Sequence, residues 1–239
     1  MRVAHLAAST LTIAACGRVS FEEDRRGGDA ASDDAPPGSV AYVKPFAQRH
    51  PGAGATDSFM AQADAAGNAI AMQVACADPT VPTVTVSSPG WTFSQPAGMQ
   101  TIGNLHGVPV IAIAPDTAPA LISISWSVTC SGGKSALGDE FTDNEPTLAA
   151  FSAHVEVTGT MNNCNSVITT PEANDAVWSA CFTSNAVSAV GPGYTKAADN
   201  GGGDWAAYKL TMAPAGTIEN PTFMNMTSWV ASTLTIRPR

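Results

Sequence analysis

The side chains able to move protons are few and widely spaced. Outside the first forty residues there are three histidines, His50, His106 and His154, far apart along the chain. There is no Gly-x-Ser-x-Gly, no His-Glu-x-x-His and no phosphate-cradling glycine loop in the sequence. His154 stands two residues from Glu156 in a run that reads as strand, so both side chains fall on one face. A general base oriented by a carboxylate would look like this. So does a solvent-facing polar pair on a half-exposed sheet, which is the reading taken here. Hard oxygen donors gather twice. Asp139, Asp143 and Glu145 lie within seven residues, and Asp199 and Asp204 flank Asn200 and three glycines. Calcium is the cation such donors suit. The first stretch also reads as an ordinary solvated acidic loop, and the glycines of the second also serve a tight reversal at positive φ. No other cofactor has a motif here, and zinc spacing such as Cys-x-x-Cys is absent.

Polysaccharide hydrolysis needs two carboxylates on one cleft. Sandwich glycosidases of the laminarinase type carry them in a Glu-x-Asp-x-x-Glu strand. Here Glu140 and Glu145 are an odd number apart, and Asp143 is out of phase with Glu140, so the stretch departs from that pattern. Aromatic rings are the other resource for a sugar. Trp126 and Trp178 fall on apolar strand faces and read as core, whereas Trp91 and Trp205 follow glycines and Trp229 lies opposite in phase to Val230, Leu234 and Ile236. These three are the candidates for stacking on a ligand; packing against a second sheet or a covering loop is the alternative for each.

The first forty residues concern location. Met1-Arg2 is followed by Val3 to Ala15 with no charge, a stretch with the layout of an export signal. It is shorter than the roughly 20 apolar residues that span a bilayer. Ile13-Ala14-Ala15-Cys16 resembles the lipobox of bacterial lipoproteins. That resemblance implies cleavage before Cys16, acylation of its thiol and, with Gly17 and no Asp after it, the outer membrane. Residues 18–39 hold six acids, three bases, the Pro36-Pro37 pair and only two large apolar side chains, Val19 and Phe21. Such a segment cannot bury enough surface to offset its ordering entropy and reads as a disordered tether. The expected organisation is a signal peptide over 1–15, a lipidated N-terminus and tether over 16–39, and a folded domain over 40–239.

With Cys16 assigned to lipid, four cysteines remain, an even number that suits two disulfides in an oxidising compartment. The midpoint of Cys164 and Cys181 falls in the turn-like Pro171-Glu172-Ala173-Asn174, so strands folding about it set the two thiols opposite each other. Cys76 then pairs with Cys130. The whole chain has a net charge of −9, and residues 40–239 alone carry 7 basic and 14 acidic side chains. That balance argues against nucleic acid and anionic lipid surfaces as partners.

The elements that would position these groups read as strands. In Ala120–Cys130 the even positions Ile122, Ile124, Trp126, Val128 and Cys130 are apolar and the odd ones Ser123, Ser125, Ser127 and Thr129 are small and polar, the period of a strand with one buried face. Similar signals cover 40–46, 58–63, 69–76, 81–86, 108–114, 151–158, 166–170, 176–183, 204–212 and 230–236. No stretch of a dozen residues shows a 3.6 period. About eleven short strands among many prolines point to an antiparallel β-sandwich of jelly-roll type. Ala66-Gly67-Asn68-Ala69-Ile70 and Ala173-Asn174-Asp175-Ala176-Val177 look alike, each opening an apolar strand that leads to a cysteine. With Gly191-Pro192-Gly193-Tyr194 and Gly202-Gly203-Asp204-Trp205, this layout resembles uncharacterised jelly-roll domains of bacterial envelope proteins. The expected function is non-catalytic binding of a glycan or an envelope protein at the cell surface. A polysaccharide hydrolase and a structural envelope component are the alternatives.

Overall fold

The computed structural model describes residues 38–160, 163–224 and 227–239. Cys16, the signal segment and the tether lie outside the described residues. The chain is an all-β sandwich of jelly-roll type, and residues 40–239 build that architecture twice. The first unit runs through β1 (Ala41–Arg49), β2 (Gly54–Ala61), β3 (Ala69–Ala77), β4 (Val84–Ser87) and β5 (Phe93–Ser94). It continues through β6 (Gln100–Ile102), β7 (Leu105–Ile113), β8 (Ala120–Cys130) and β9 (Lys134–Thr142). A single 3₁₀ turn, Leu148–Ala150, capped by the Thr147 hydroxyl, leads into the second unit. That unit holds β10 (Phe151–Gly159), β11 (Cys164–Asn165), β12 (Ile168–Thr169), β13 (Ala176–Thr183) and β14 (Ala189–Val190). It ends with β15 (Thr195–Asp199), β16 (Trp205–Leu210), β17 (Ile218–Glu219), β18 (Thr222–Met224) and β19 (Trp229–Ile236). Among the described residues nineteen strands stand where eleven are expected, mostly because many are pieces of two or three residues, concentrated in the outer sheet of the second unit and too short to show a period.

Each unit has the same antiparallel path. The inner sheets run β1-β9-β3-β7 and β10-β19-β13-β16, first strand beside last, and the outer sheets run β2-β8-β4 and β11-β18-β14. The two look-alike segments occupy equivalent places. Gly67 (φ 88°) and Asn174 (φ 63°) make the same left-handed turn before β3 and β13, and Ala69 and Ala176 pair with the last strand of their own unit, at Phe141 and Ile236. The inner sheets lie face to face. Their contacts are reciprocal: β7 packs on β19 as β16 packs on β9, and β1 lies over β15 as β10 lies over β6. An approximate twofold axis between the sheets accounts for these pairs.

Four layers follow, and layer position explains which strands alternate in sequence. β8 sits in an outer sheet, so Ile122, Ile124 and Trp126 point into the first core while Ser125, Ser127 and Thr129 meet water. β3 and β13 sit in inner sheets and are buried on both faces, and their sequences are near-continuous apolar runs. In β3, Ile70, Met72 and Val74 join the core under β8, while Ala69 and Ala71 join the core between the inner sheets. That central contact mixes alanines, Ala69, Ala71, Ala176, Ala180, Ala198 and Ala206 among them, with large side chains such as Phe141, Trp178, Leu234 and Ile236. β9 was not among the expected strands. Its polar residues hide an inner strand that pairs with β1 on one side and β3 on the other.

Both expected disulfides are present, Cys76–Cys130 and Cys164–Cys181. Each ties an inner strand to an outer one, β3 to β8 and β13 to β11. Two such bonds indicate folding in an oxidising, exported environment. Among the described residues no helix is long and apolar enough to cross a membrane.

Proline placement opens one side of the first unit. Pro109 of β7 has no N–H to give, and the neighbouring strand is broken there: β6 ends its pairing at Gly107 and β5 begins at Ile111. Neither piece pairs with β4, which therefore has β8 on one side and, among the described residues, no paired strand on the other.

Candidate functional site

The acidic stretch proposed as a calcium loop is the last inner strand of the first unit and the turn that leaves it. Successive residues of β9 point to opposite faces, which separates Asp139 from Glu140. Asp139 faces the second unit, fully buried, accepting from Trp178 Nε1 at 2.7 Å and from the Tyr42 hydroxyl at 3.4 Å. Burial pushes its carboxyl up to about 7, against the pull of those donors. Glu140, also buried, accepts from Asn68 Nδ2 at 2.6 Å and Asp64 N at 2.7 Å, with Lys44 Nζ 3.8 Å away. Burial raises its pKa as well. Exposed Asp143 takes a left-handed turn at φ 59°, and half-buried Glu145 accepts from the Thr147 hydroxyl at 3.3 Å. Between them Asn144 is buried, accepting from Ala69 N and donating to Gly67 O, so the turn fastens the start of β3. Asp139, Glu140 and Glu145 thus bond to different partners.

The second proposed calcium loop is closed by its own hydrogen bonds. Asp204 is buried, accepting from Thr183 N at 3.1 Å and Asn200 Nδ2 at 2.7 Å. Burial raises its pKa. Asp199 turns outward to Lys196 and accepts from Gly201 N at 2.8 Å. Asn200 Oδ1 accepts from Gly202 N and Asp204 N, and its amide reaches Ser135 Oγ of the first unit at 2.8 Å. The glycines serve conformation, with Gly201 and Gly203 at φ 71° and 102°, and this loop clasps the two units together. Among the described residues no group of three or more His, Cys, Asp or Glu side chains is placed to hold a metal ion.

The three tryptophans expected at a ligand surface are spent on packing. Trp91 is 9% exposed, stacked on Phe93 at 5.7 Å and tilted against Phe46 at 5.5 Å. Trp229 is 4% exposed, with its ring against Gly159, where a Cβ would stand 2.3 Å from it. Trp205 is half-buried, with Lys196 Nζ 3.6 Å above its ring. His154 and Glu156 form the polar pair expected on one strand face, Nδ1 to Oε1 3.2 Å, with the imidazole exposed. Sequence reading gave no role to His106. It is buried, its Nδ1 2.9 Å from Thr101 Oγ1 and its Nε2 2.7 Å from the Asp78 carbonyl. Asp78 in turn accepts from the Ser131 hydroxyl at 2.9 Å, and this network braces the chain just beyond Cys76 and Cys130.

A concave surface lies elsewhere, at the side left open by Pro109. A cleft of about 370 Å³ separates β4 from β5, lined by Val84, Thr85, Val86, Phe93, Ser94, Gln95 and Val110. Val110, on β7, lies beside Pro109. Gln95 reaches across, its Nε2 donating to the Val84 carbonyl at 3.0 Å. The volume lies at the low end of the range for small-ligand sites, roughly 300–1,000 Å³. The lining mixes apolar side chains (Val84, Val86, Phe93, Val110) with hydroxyl and amide groups, its open surface is mostly polar, and no lining side chain is ionisable, which suits binding and offers no acid or base for proton transfer. Trp91 stands one ring behind it, supporting Phe93. A signal for this site was present in the sequence as Trp91 and Phe93 at alternate positions with Pro109 in an apolar strand, but only pairing shows that the three belong to one opening.

Comparison with family models, with curated proteins and with solved structures finds no match for this chain.

Proposed function

We propose that this chain is a lipid-anchored envelope protein, held at the outer membrane through Cys16, that binds a ligand without transforming it. The cleft between β4 and β5 carries the reading, since its walls supply an aromatic ring, apolar side chains, two hydroxyls and one amide and no acid or base. The lipobox-like Ile13-Ala14-Ala15-Cys16 supports the anchor, and the disulfides agree with a site outside the cytoplasm. Several acyl chains, at about 0.8 kcal/mol per buried methylene, would hold such a protein permanently. The glycosidase alternative requires two carboxylates about 5–9.5 Å apart across a substrate groove, and this cleft has none.

Glycan and peptide arrays probed with the full chain and with Phe93→Ala test the binding reading. Binding that drops at least tenfold in Phe93→Ala supports it. Binding indifferent to Phe93, or no binding on either array, sinks it. Metabolic labelling with palmitate, abolished by Cys16→Ser, tests the anchor; labelling that persists in the variant removes it.

A further inference from the structure

We infer that the ligand of this cleft is an extended polypeptide, which adds to β4 as the fourth strand of the outer sheet. The inference rests on reading the cleft as a binding site, and it follows from where the backbone of β4 points. β4 pairs with β8 through Val84↔Trp126, Thr85↔Ser125, Val86↔Ile124 and Ser87↔Ser123. Ser127 N donates to Thr83 O at 2.9 Å, which sets the phase of this antiparallel ladder. Hydrogen-bonded and non-hydrogen-bonded pairs alternate in such a ladder. Thr83, Thr85 and Ser87 therefore spend their peptide groups on β8, while Val84 and Val86 turn theirs into the cleft. The Gln95 side chain agrees with this phase, because it finds the Val84 carbonyl facing it across the opening. That amide makes the bond an incoming strand would make, and it is displaced when the strand arrives.

The remaining groups, the N–H of Val84 and both groups of Val86, repeat at two-residue spacing, about 6.6–6.8 Å along a strand. A second polypeptide matches that spacing, as in other proteins that recognise peptides by strand addition. A glycan presents rotatable hydroxyls that both donate and accept, not a fixed row of alternating donors and acceptors at strand spacing. Phe93 and Val110 then receive the side chains that an added strand directs inward. An uncharged backbone meets no repulsion from an uncharged lining in a chain of net charge −9.

The test uses the full chain, immobilised, to select binders from a phage-displayed random decapeptide library. One selected decapeptide is then titrated by NMR against wild type and Val86→Pro. Proline is tolerated on an edge where the lost N–H faces outward, so this variant keeps the β8 ladder, whereas Thr85→Pro breaks it and lowers the melting temperature. The expected result is binding that moves the Val84 and Val86 amide signals and weakens at least tenfold in Val86→Pro. The same decapeptide, N-methylated at alternate residues, loses at least tenfold against wild type, which reads the same bonds without altering the protein. Retained affinity in Val86→Pro or with the N-methylated peptide overturns the inference, as does a library that yields no binder. Chitotetraose moving the Phe93 and Gln95 signals when no peptide does so overturns strand addition and leaves the binding cleft standing. If neither probe moves the cleft signals, both readings fall.

Discussion

Asp139 holds its carboxyl between Trp178 and Tyr42, out of contact with solvent. Burial costs the anion more than the acid, and the group titrates near 7 in the folded chain against about 3.9 unfolded. A folded state that binds the extra proton is favoured below the lower value. The advantage is lost as pH rises from about 4 through about 7. Asp139→Asn keeps an oxygen for the Trp178 N–H and removes the titration. We expect the wild-type melting temperature to fall more between pH 5 and pH 8 than that of the variant, read by circular dichroism; equal slopes would assign the pH dependence elsewhere. Asp175, raised to about 6 by burial, adds to the wild-type slope in the same direction and is unchanged in the variant. Sequence alone made Asp139 a calcium ligand because nothing local announces an indole N–H arriving from a strand 39 residues away. Cross-sheet partners are the information that spacing lacks.

Among the strands, those legible in sequence were the ones whose layer imposes a pattern. β8 alternates because one face is wet, and β3 and β13 are apolar throughout because neither face is. β9 carries no strand signal because Lys134, Gly138, Asp139 and Glu140 interrupt its apolar residues, although both acids are buried against their own donors. The cleft was illegible for a related reason: it arises where β5 and β6 fail to continue past Pro109, and a missing pairing has no residue signature of its own. β10 gives a test at this scale. Gly159 faces the Trp229 ring so closely that a methyl group cannot be added without moving one of them. Gly159→Ala should cost about 1–3 kcal/mol, seen as a lower urea midpoint at unchanged m-value. An unchanged midpoint would mean that the edge strand yields freely.

The molecule as a whole is two copies of one architecture joined through their inner sheets, and the disulfides break the symmetry between them. Cys76–Cys130 spans 54 residues and Cys164–Cys181 spans 17. Chain-entropy arguments assign roughly 4 and 3 kcal/mol to loops of those lengths. The paired variant Cys76→Ser with Cys130→Ser should therefore melt lower than Cys164→Ser with Cys181→Ser; the reverse order would show that local packing outweighs loop length. Both bonds bridge layers inside one unit and leave the central contact to side-chain packing and to hydrogen bonds such as Trp178 to Asp139 and the Asn200 clasp. That arrangement has a mechanical side. For a chain tethered at one end and pulled at the other, residues between bonded cysteines cannot pay out. At about 3.4 Å each, the two loops withhold roughly 240 Å of contour length. Stretched singly, the oxidised protein should stop short by about that amount, and a reducing agent should release it in two unequal steps.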